Sequence, residues 1–277
     1  EILSLRELDG FDHFFNDVAE GAKLMGIGDL TITTEAGVGQ FEVTMTHGPA
    51  LHIADNVILL KELIKGTARN HGMAATFMAK PFSDESGNGL HTHFSVINQA
   101  GENIFCSKGK LQSAVAGCLE AFEASTLFFA PYVNSFDRFV EGAHAPTSAT
   151  WGYENRTVAM RIPSGPDAAT RIEHRVAGGD ANPYLLFAAI FGAALEGIER
   201  NSVPPAPIEG NAYEHPAELP GLLPDLSAAI DGLDAPLLEH FMPALILENL
   251  AATKSQERDL FDKLSDHEAL MALIDTA

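Results

Sequence analysis

Positive charge is scarce in this chain. Its 277 residues carry 17 Lys and Arg against 38 Asp and Glu, a formal net charge of −21 at pH 7. Such an acidic surface repels nucleic acid and anionic lipid, so neither is expected as a partner. Cysteine is nearly absent: Cys106 and Cys118 are the only two, and they form neither a CxxC nor a zinc-type spacing. That sets aside a disulfide scaffold and a thiolate metal centre, and fits reduced thiols in a cytoplasmic protein. No apolar run reaches the roughly 18 residues a membrane-spanning helix needs. The opening EILSLRELDG lacks the basic and apolar stretches of a secretory leader. It also lacks an initiator Met, so the chain is expected to be part of a longer polypeptide. What is present suffices for a real core, since 46% of the residues are hydrophobic, enough for one large domain or two small ones.

Hydrophobic spacing predicts helices over 9–26 (Phe11, Phe14, Phe15, Val18, Ala22, Met25) and over 53–70 (Val57, Leu60, Ile64, Ala68). Between them lies the Gly-punctuated run GIGDLTITTEAGVGQFEVTM, with strand-like ends and a tight middle. Strands are expected at 74–80 and 90–98, then a long apolar helix over 110–130 and strands over 147–176 interrupted by SGPD. Asn182 followed by Pro183 is a helix start, a capping residue before Pro at the first helical position. The helix it opens is apolar on nearly every side and should be buried. After the Pro-rich link 203–208 the chain is expected to be helical to its end, with a capping box in SDHE at 265–268. Helices and strands mix without a βαβ rhythm, so the fold class is α+β.

Against the acidic background, five arginines fall within 134–184: Arg138, Arg156, Arg161, Arg171 and Arg175. Guanidinium forks grip carboxylate and phosphate oxygens in pairs. Glu173 stands two residues from Arg171 and two from Arg175, so on a strand the three share a face. Like charges at that spacing are costly unless an anion or a metal sits between them. Arg156 and Arg161 have opposite parity and reach one site only across a bend or a bulge. Glu35 and Glu42 flank a turn containing Gly37 and Gly39, and carboxylate oxygens suit Mg²⁺ or Mn²⁺. Taken alone, they read better as solvated surface carboxylates than as ligands. His91, His93 and Ser95 alternate along one strand face beyond the flexible SGNG loop at 86–89, though two half-exposed strand histidines are common enough.

The runs TEAGVGQFE (34–42), GNGLHTHFS (87–95), NSFDRFVEGAHAP (134–146), WGYENRTVAMRIP (151–163) and RIEHRVAGGDANPYL (171–185) resemble, in order and spacing, the glutamine synthetase family. The resemblance is to its C-terminal catalytic domain and covers essentially the whole chain. It implies a curved antiparallel sheet with flanking helices, a core over 1–202 and a helical C-terminal region over 203–277. The family's N-terminal β-grasp domain, and a strand bearing two further metal-binding glutamates, are absent from this sequence. The resemblance implies that Glu35 and Glu42 bind one metal ion, Mg²⁺ or Mn²⁺, and His91 and Glu173 a second. His93, Ser95, Arg161 and Arg171 would serve ATP. Arg138 would grip the α-carboxylate of glutamate, and Arg175 its side-chain carboxylate. Gly87 and Ser86 would shape the substrate loop, and Arg156 and His144 would be catalytic. The implied assembly is a homo-oligomeric ring of about ten or twelve subunits.

Two departures bear on the substrate. His144 stands where the family usually has a glutamate that closes the site, and a neutral imidazole supplies no fixed anion for a small cation. Ser86 stands where an asparagine usually contacts glutamate. Both turn the expectation from ammonia towards a bulkier amine, as in the γ-glutamyl-polyamine synthetase branch. The expected activity is an ATP-dependent ligase joining glutamate to ammonia or an amine, amine favoured. The alternative is a catalytically silent relative that binds ligands or partners, and a guanidino-phosphotransferase is disfavoured by the paired metal-ligand runs.

Overall fold

Residues 2–140, 145–215 and 218–274 are described by a computed structural model. The chain opens with α1 (Leu5–Asp9), whose N-terminus is capped by Ser4, and α2 (Asp12–Leu24). The helix expected over 9–26 is α2, which starts at Asp12 and ends at Leu24; α1 precedes it. Strands β1 (Leu30–Thr34) and β2 (Phe41–Met45) form an antiparallel hairpin, and α3 (Ala50–Asn70) follows. Phe14, Phe15, Val18 and Ala22 of α2 pack on Leu60, Ile64 and Ala68 of α3, with Phe41 and Val43 of the hairpin against them.

The principal sheet has four strands of three residues each: β3 (Thr92–Phe94), β4 (Trp151–Tyr153), β5 (Met160–Ile162) and β6 (Ile172–His174). Their order is β3-β6-β5-β4. The pairs β3–β6 and β5–β6 are antiparallel, and β4 joins β5 as a parallel edge. The fold is therefore α+β with a largely antiparallel sheet, as the sequence leads one to expect.

Period-two alternation gives this sheet two faces. Thr92, Phe94, Met160, Ile162, Ile172 and His174 are buried in the core, whereas His93, Arg161 and Glu173 lie on the opposite face. Behind the core face run α4 (Lys108–Glu120) and α6 (Pro183–Arg200). A Cβ on Gly117 would strike the Ala193 carbonyl and the backbone of Gly197, so these helices meet backbone to backbone. The cap on α6 is the expected one: Asn182 accepts from the amides of Tyr184 and Leu185, and Asn201 closes the helix in the left-handed conformation.

Three further expected elements differ. Residues 74–80 join no ladder, and their backbone is bonded by side chains and loops. Asn134 bonds both the amide and the carbonyl of Lys80, and Asn88 bonds the Met78 and Ala79 carbonyls. The helix over 110–130 divides into α4 and the short α5 (Thr126–Phe129). Beyond residue 208 the chain is not continuously helical. Prolines at 204, 205, 207, 220, 224, 236 and 243 remove donors and restrict their neighbours, leaving α7 (Leu226–Asp231), α8 (Ala244–Phe261) and α9 (Asp266–Ile274) between irregular stretches. The capping box holds: the Ser265 amide donates to Glu268 at 2.9 Å, and the Glu268 amide to Ser265 Oγ at 3.4 Å. Among the described residues no helix is long and apolar enough to cross a membrane.

Candidate active site

Glu173 organises the polar face of the sheet. It is 3% exposed, and across the sheet it pairs with His93 on one side and Arg161 on the other. Arg161 donates from NH1 to Oε2 at 2.8 Å, and Arg175 donates to Oε1. His91 Nδ1 and His93 Nε2 stand 3.6 and 3.7 Å from Oε1. A single buried carboxylate thus holds two guanidiniums and two imidazoles. Removed from water, the charges of Glu173, Arg161 and Arg175 interact far more strongly than at a surface.

The outer positions follow from this centre. Arg171 donates from Nε to His93 Nδ1 at 3.2 Å. Because that donor carries a fixed hydrogen, Nδ1 is the accepting nitrogen and the ring proton of neutral His93 sits on Nε2, towards Glu173. Burial lowers the His93 pKa, Glu173 opposes this, and Arg171 and Arg161 add to the lowering; Glu42 also acts on this ring. Burial drives the His91 pKa well below its ordinary value, reinforced by Arg175, Arg138, His93 and Arg156. Both imidazoles are therefore neutral, the state in which a ring nitrogen can ligate a cation. Burial works against charge on Arg161, but its bonds to Glu173 and Glu154 hold its pKa above the ordinary value.

Arg156 reaches this neighbourhood from the turn between β4 and β5, which resolves the parity problem with Arg161: only Arg161 is on a strand. Arg138 ends a 3-10 turn over Val133–Arg138 and is 4% exposed. Its NH1 donates to the Val176 carbonyl at 2.6 Å, and NH2 lies 3.0 Å from where a Cβ on Gly89 would stand. Gly87 has no room for a side chain, since a Cβ there would be 2.5 Å from the Ala79 carbonyl and 2.9 Å from Arg138 Cγ.

The β1–β2 turn docks on the same loop. Gln40 Nε2 donates to the Gly87 carbonyl at 3.0 Å and to Asn88 Oδ1 at 2.8 Å, while its own Oε1 accepts the Gly37 amide at 2.9 Å. Gly39, at φ 66°, supplies the left-handed residue of the turn. Glu35 lies half-buried at the start of this turn, its amide bonded to the Gln40 carbonyl at 2.9 Å, and Glu42 lies exposed on β2. Gln40 and Asn88 escaped the sequence reading; the available signal was a polar residue directly after Gly39 in GVGQF and another between Gly87 and Gly89 in SGNG.

Of the expected residues, His91, His93, Glu173, Arg161, Arg171 and Arg175 meet directly, and Arg138, Arg156 and Glu42 act on them. Ser95 is exposed just past β3, and Ser86 is half-buried in the loop before Gly87. His144 lies outside the described residues. Among the described residues no three His, Cys, Asp or Glu side chains already stand as a metal shell. The donor chemistry nevertheless suits a hard divalent ion, with carboxylate oxygens and one neutral imidazole.

The family model described as "Glutamine synthetase, catalytic domain" matches residues 1–271. Gamma-glutamylputrescine synthetase PuuA of Escherichia coli (strain K12) is 40% identical over 220 residues, covering 77% of this chain and 47% of that protein. A glutamine synthetase of Pyrococcus abyssi (strain GE5 / Orsay) is 38% identical over 211 residues, covering 75% and 48%. The solved structure "GmaS/ADP complex-Conformation 1" superposes with a TM-score of 0.86 at 31% identity, covering 98% of this chain and 66% of that one. The chain spans about half the length of the curated relatives it matches.

Proposed function

This chain belongs to the glutamine synthetase family, and from that premise we propose that it carries the catalytic centre of an ATP-dependent ligase joining the γ-carboxylate of glutamate to an amine through a γ-glutamyl phosphate. The observation that carries the reading is the convergence of Arg161, Arg175, His91 and His93 on the buried Glu173. Two guanidiniums fixed by one buried carboxylate, with two neutral imidazoles beside them and Arg171 next to His93, are suited to a polyanion that must be neutralised while it reacts.

A carboxylate repels an incoming nucleophile. Phosphorylating it creates an acyl phosphate with a good leaving group, and phosphoryl transfer asks mainly for positioning and positive charge on the equatorial oxygens. In this reading Arg161, Arg171 and His93 face the nucleotide, Arg156 the transferring group, Arg175 the side-chain carboxylate and Arg138 the α-carboxylate. His91 with Glu173, and Glu35 with Glu42, would hold Mg²⁺ or Mn²⁺, which when bound adds charge on the phosphate oxygens. Neutral His91 offers a ring nitrogen, and Arg161 and Arg175 orient the Glu173 carboxylate.

The amine, rather than ammonia, is supported by Ser86 and His144 in the sequence and by the relative named as a γ-glutamylputrescine synthetase. Phosphate release from ATP, measured with glutamate and a panel of ammonia, short alkylamines and diamines, tests both parts. Release should require glutamate and be fastest with an amine. A preference for ammonia removes the amine assignment alone, and release indifferent to glutamate removes the ligase.

A further inference from the structure

We propose that Asp180 is the positioning residue for Arg138, fixing from inside the protein the guanidinium that receives the α-carboxylate of the amino-acid substrate. This rests on the role assigned above to Arg138.

Ser135 and Arg138 lie three residues apart in the 3-10 turn Val133–Arg138, and in such a helix side chains at that spacing eclipse. Ser135 Oγ accepts the Tyr132 amide at 2.9 Å and donates to Asp180 Oδ2 at 2.5 Å. The carboxylate therefore grips the turn on the side from which Arg138 projects. It has a second cation beside it. Lys61 of α3 bonds the carbonyl of Gly179, the residue before Asp180, and lies 5.3 Å from the Phe77 ring centre.

Gly178 makes room for this arrangement, because a Cβ there would collide with Asp180 Oδ1 and stand 3.0 Å from Ala79 Cβ. Asp180 is 8% exposed, and among the described residues its Oδ1 accepts no hydrogen bond. Its own backbone N–H, Arg138 and Lys61 act on this carboxylate electrostatically. Burial raises the Asp180 pKa, while Ser135, Arg138 and Lys61 draw it back. Burial likewise lowers Arg138 to about 10 and Lys61 to about 8, and in both Asp180 resists the loss of charge.

Without the carboxylate, buried Arg138 and half-buried Lys61 each lose their anionic partner, and the outward N–H groups of Arg138 lose their register with the substrate. The change falls on glutamate binding rather than on ATP or on the chemical step. Steady-state kinetics of the purified protein with Asp180→Asn should show KM for glutamate raised roughly tenfold or more, with KM for ATP and kcat at saturating glutamate within about twofold of wild type. Ser135→Ala, which keeps the charge and loses the tether, should raise the same KM by a smaller factor, and it decides the matter if the first variant does not fold. An unchanged KM for glutamate in a folded variant, or a fall in kcat with every KM unchanged, overturns the proposal. If wild type consumes no ATP in response to glutamate, the ligase reading falls and this proposal with it. If wild type is active and the variants keep its KM, only the positioning role falls.

Discussion

Arg161 and Glu173 stand opposite one another on neighbouring antiparallel strands, and the guanidinium donates to the carboxylate at 2.8 Å. Glu173 also keeps Arg175, so it survives the loss of Arg161 with a partner. Arg161→Ala should therefore leave the melting temperature close to wild type while lowering kcat on the order of 10²–10³-fold, as for other preorganised charges. Glu173→Ala strands Arg175 and leaves Arg161 with Glu154 alone. Urea unfolding should show a loss of about 3–5 kcal/mol, the cost of breaking a buried charge cluster by removing one partner.

Gly117 and Gly197 let α4 and α6 touch through their backbones. Gly117→Ala forces the helices apart, and no flexible side chain can yield in their place. Overpacking of this kind costs about 1–3 kcal/mol. Thermal unfolding should register that loss, while activity per folded molecule stays near wild type because neither glycine lies at the site.

His174 shares its strand with Glu173 but points the other way, into the core. It is 1% exposed, its ring lies 4.8 Å from that of Phe129, and burial lowers its pKa to about 3. In the unfolded chain the imidazole titrates near its ordinary value of about 6.5. Between those values the unfolded chain binds more protons than the folded one, so stability rises with pH. The contribution is complete above about pH 6.5 and declines below it by up to about 1.4 kcal/mol per pH unit. Unfolding free energies of wild type and His174→Leu, compared at pH 7.5 and pH 5, should show the smaller decline in the variant.

Gln40 ties the β1–β2 turn to Gly87 and Asn88. Gln40→Ala should cost only about 1–2 kcal/mol in stability. Its larger effect should be kinetic, roughly a tenfold fall in kcat/KM, because Glu35, Glu42 and the substrate loop lose their common anchor. Comparing melts with kinetics separates the two.

Much of the site was legible because strand periodicity and charge scarcity are local properties. The alternation in LHTHFS sets His91 and His93 on one strand face and that in RIEHR sets Arg171, Glu173 and Arg175 on another; the pairing of β3 with β6 brings His93 opposite Glu173. Arg156 was ambiguous because its position depends on a turn whose bend the parity rule cannot see. Asp180 and Gln40 were missed for a related reason: their roles are to hold other loops, and those partners are about 45 to 48 residues away in sequence. The strand expected at 74–80 failed similarly. Its composition suits a strand, but Asn88 and Asn134, distant in the chain, take the hydrogen bonds a neighbouring strand would have supplied.

The central claim is that the arginine and histidine cluster around Glu173 activates a carboxylate by phosphorylating it. Glutamate carrying heavy oxygen in its γ-carboxylate, turned over with ATP and an amine, tests this directly by mass spectrometry of the released phosphate. The account predicts that one labelled oxygen per turnover passes from glutamate into phosphate. Phosphate released without label, while the γ-glutamyl amide forms, would contradict it.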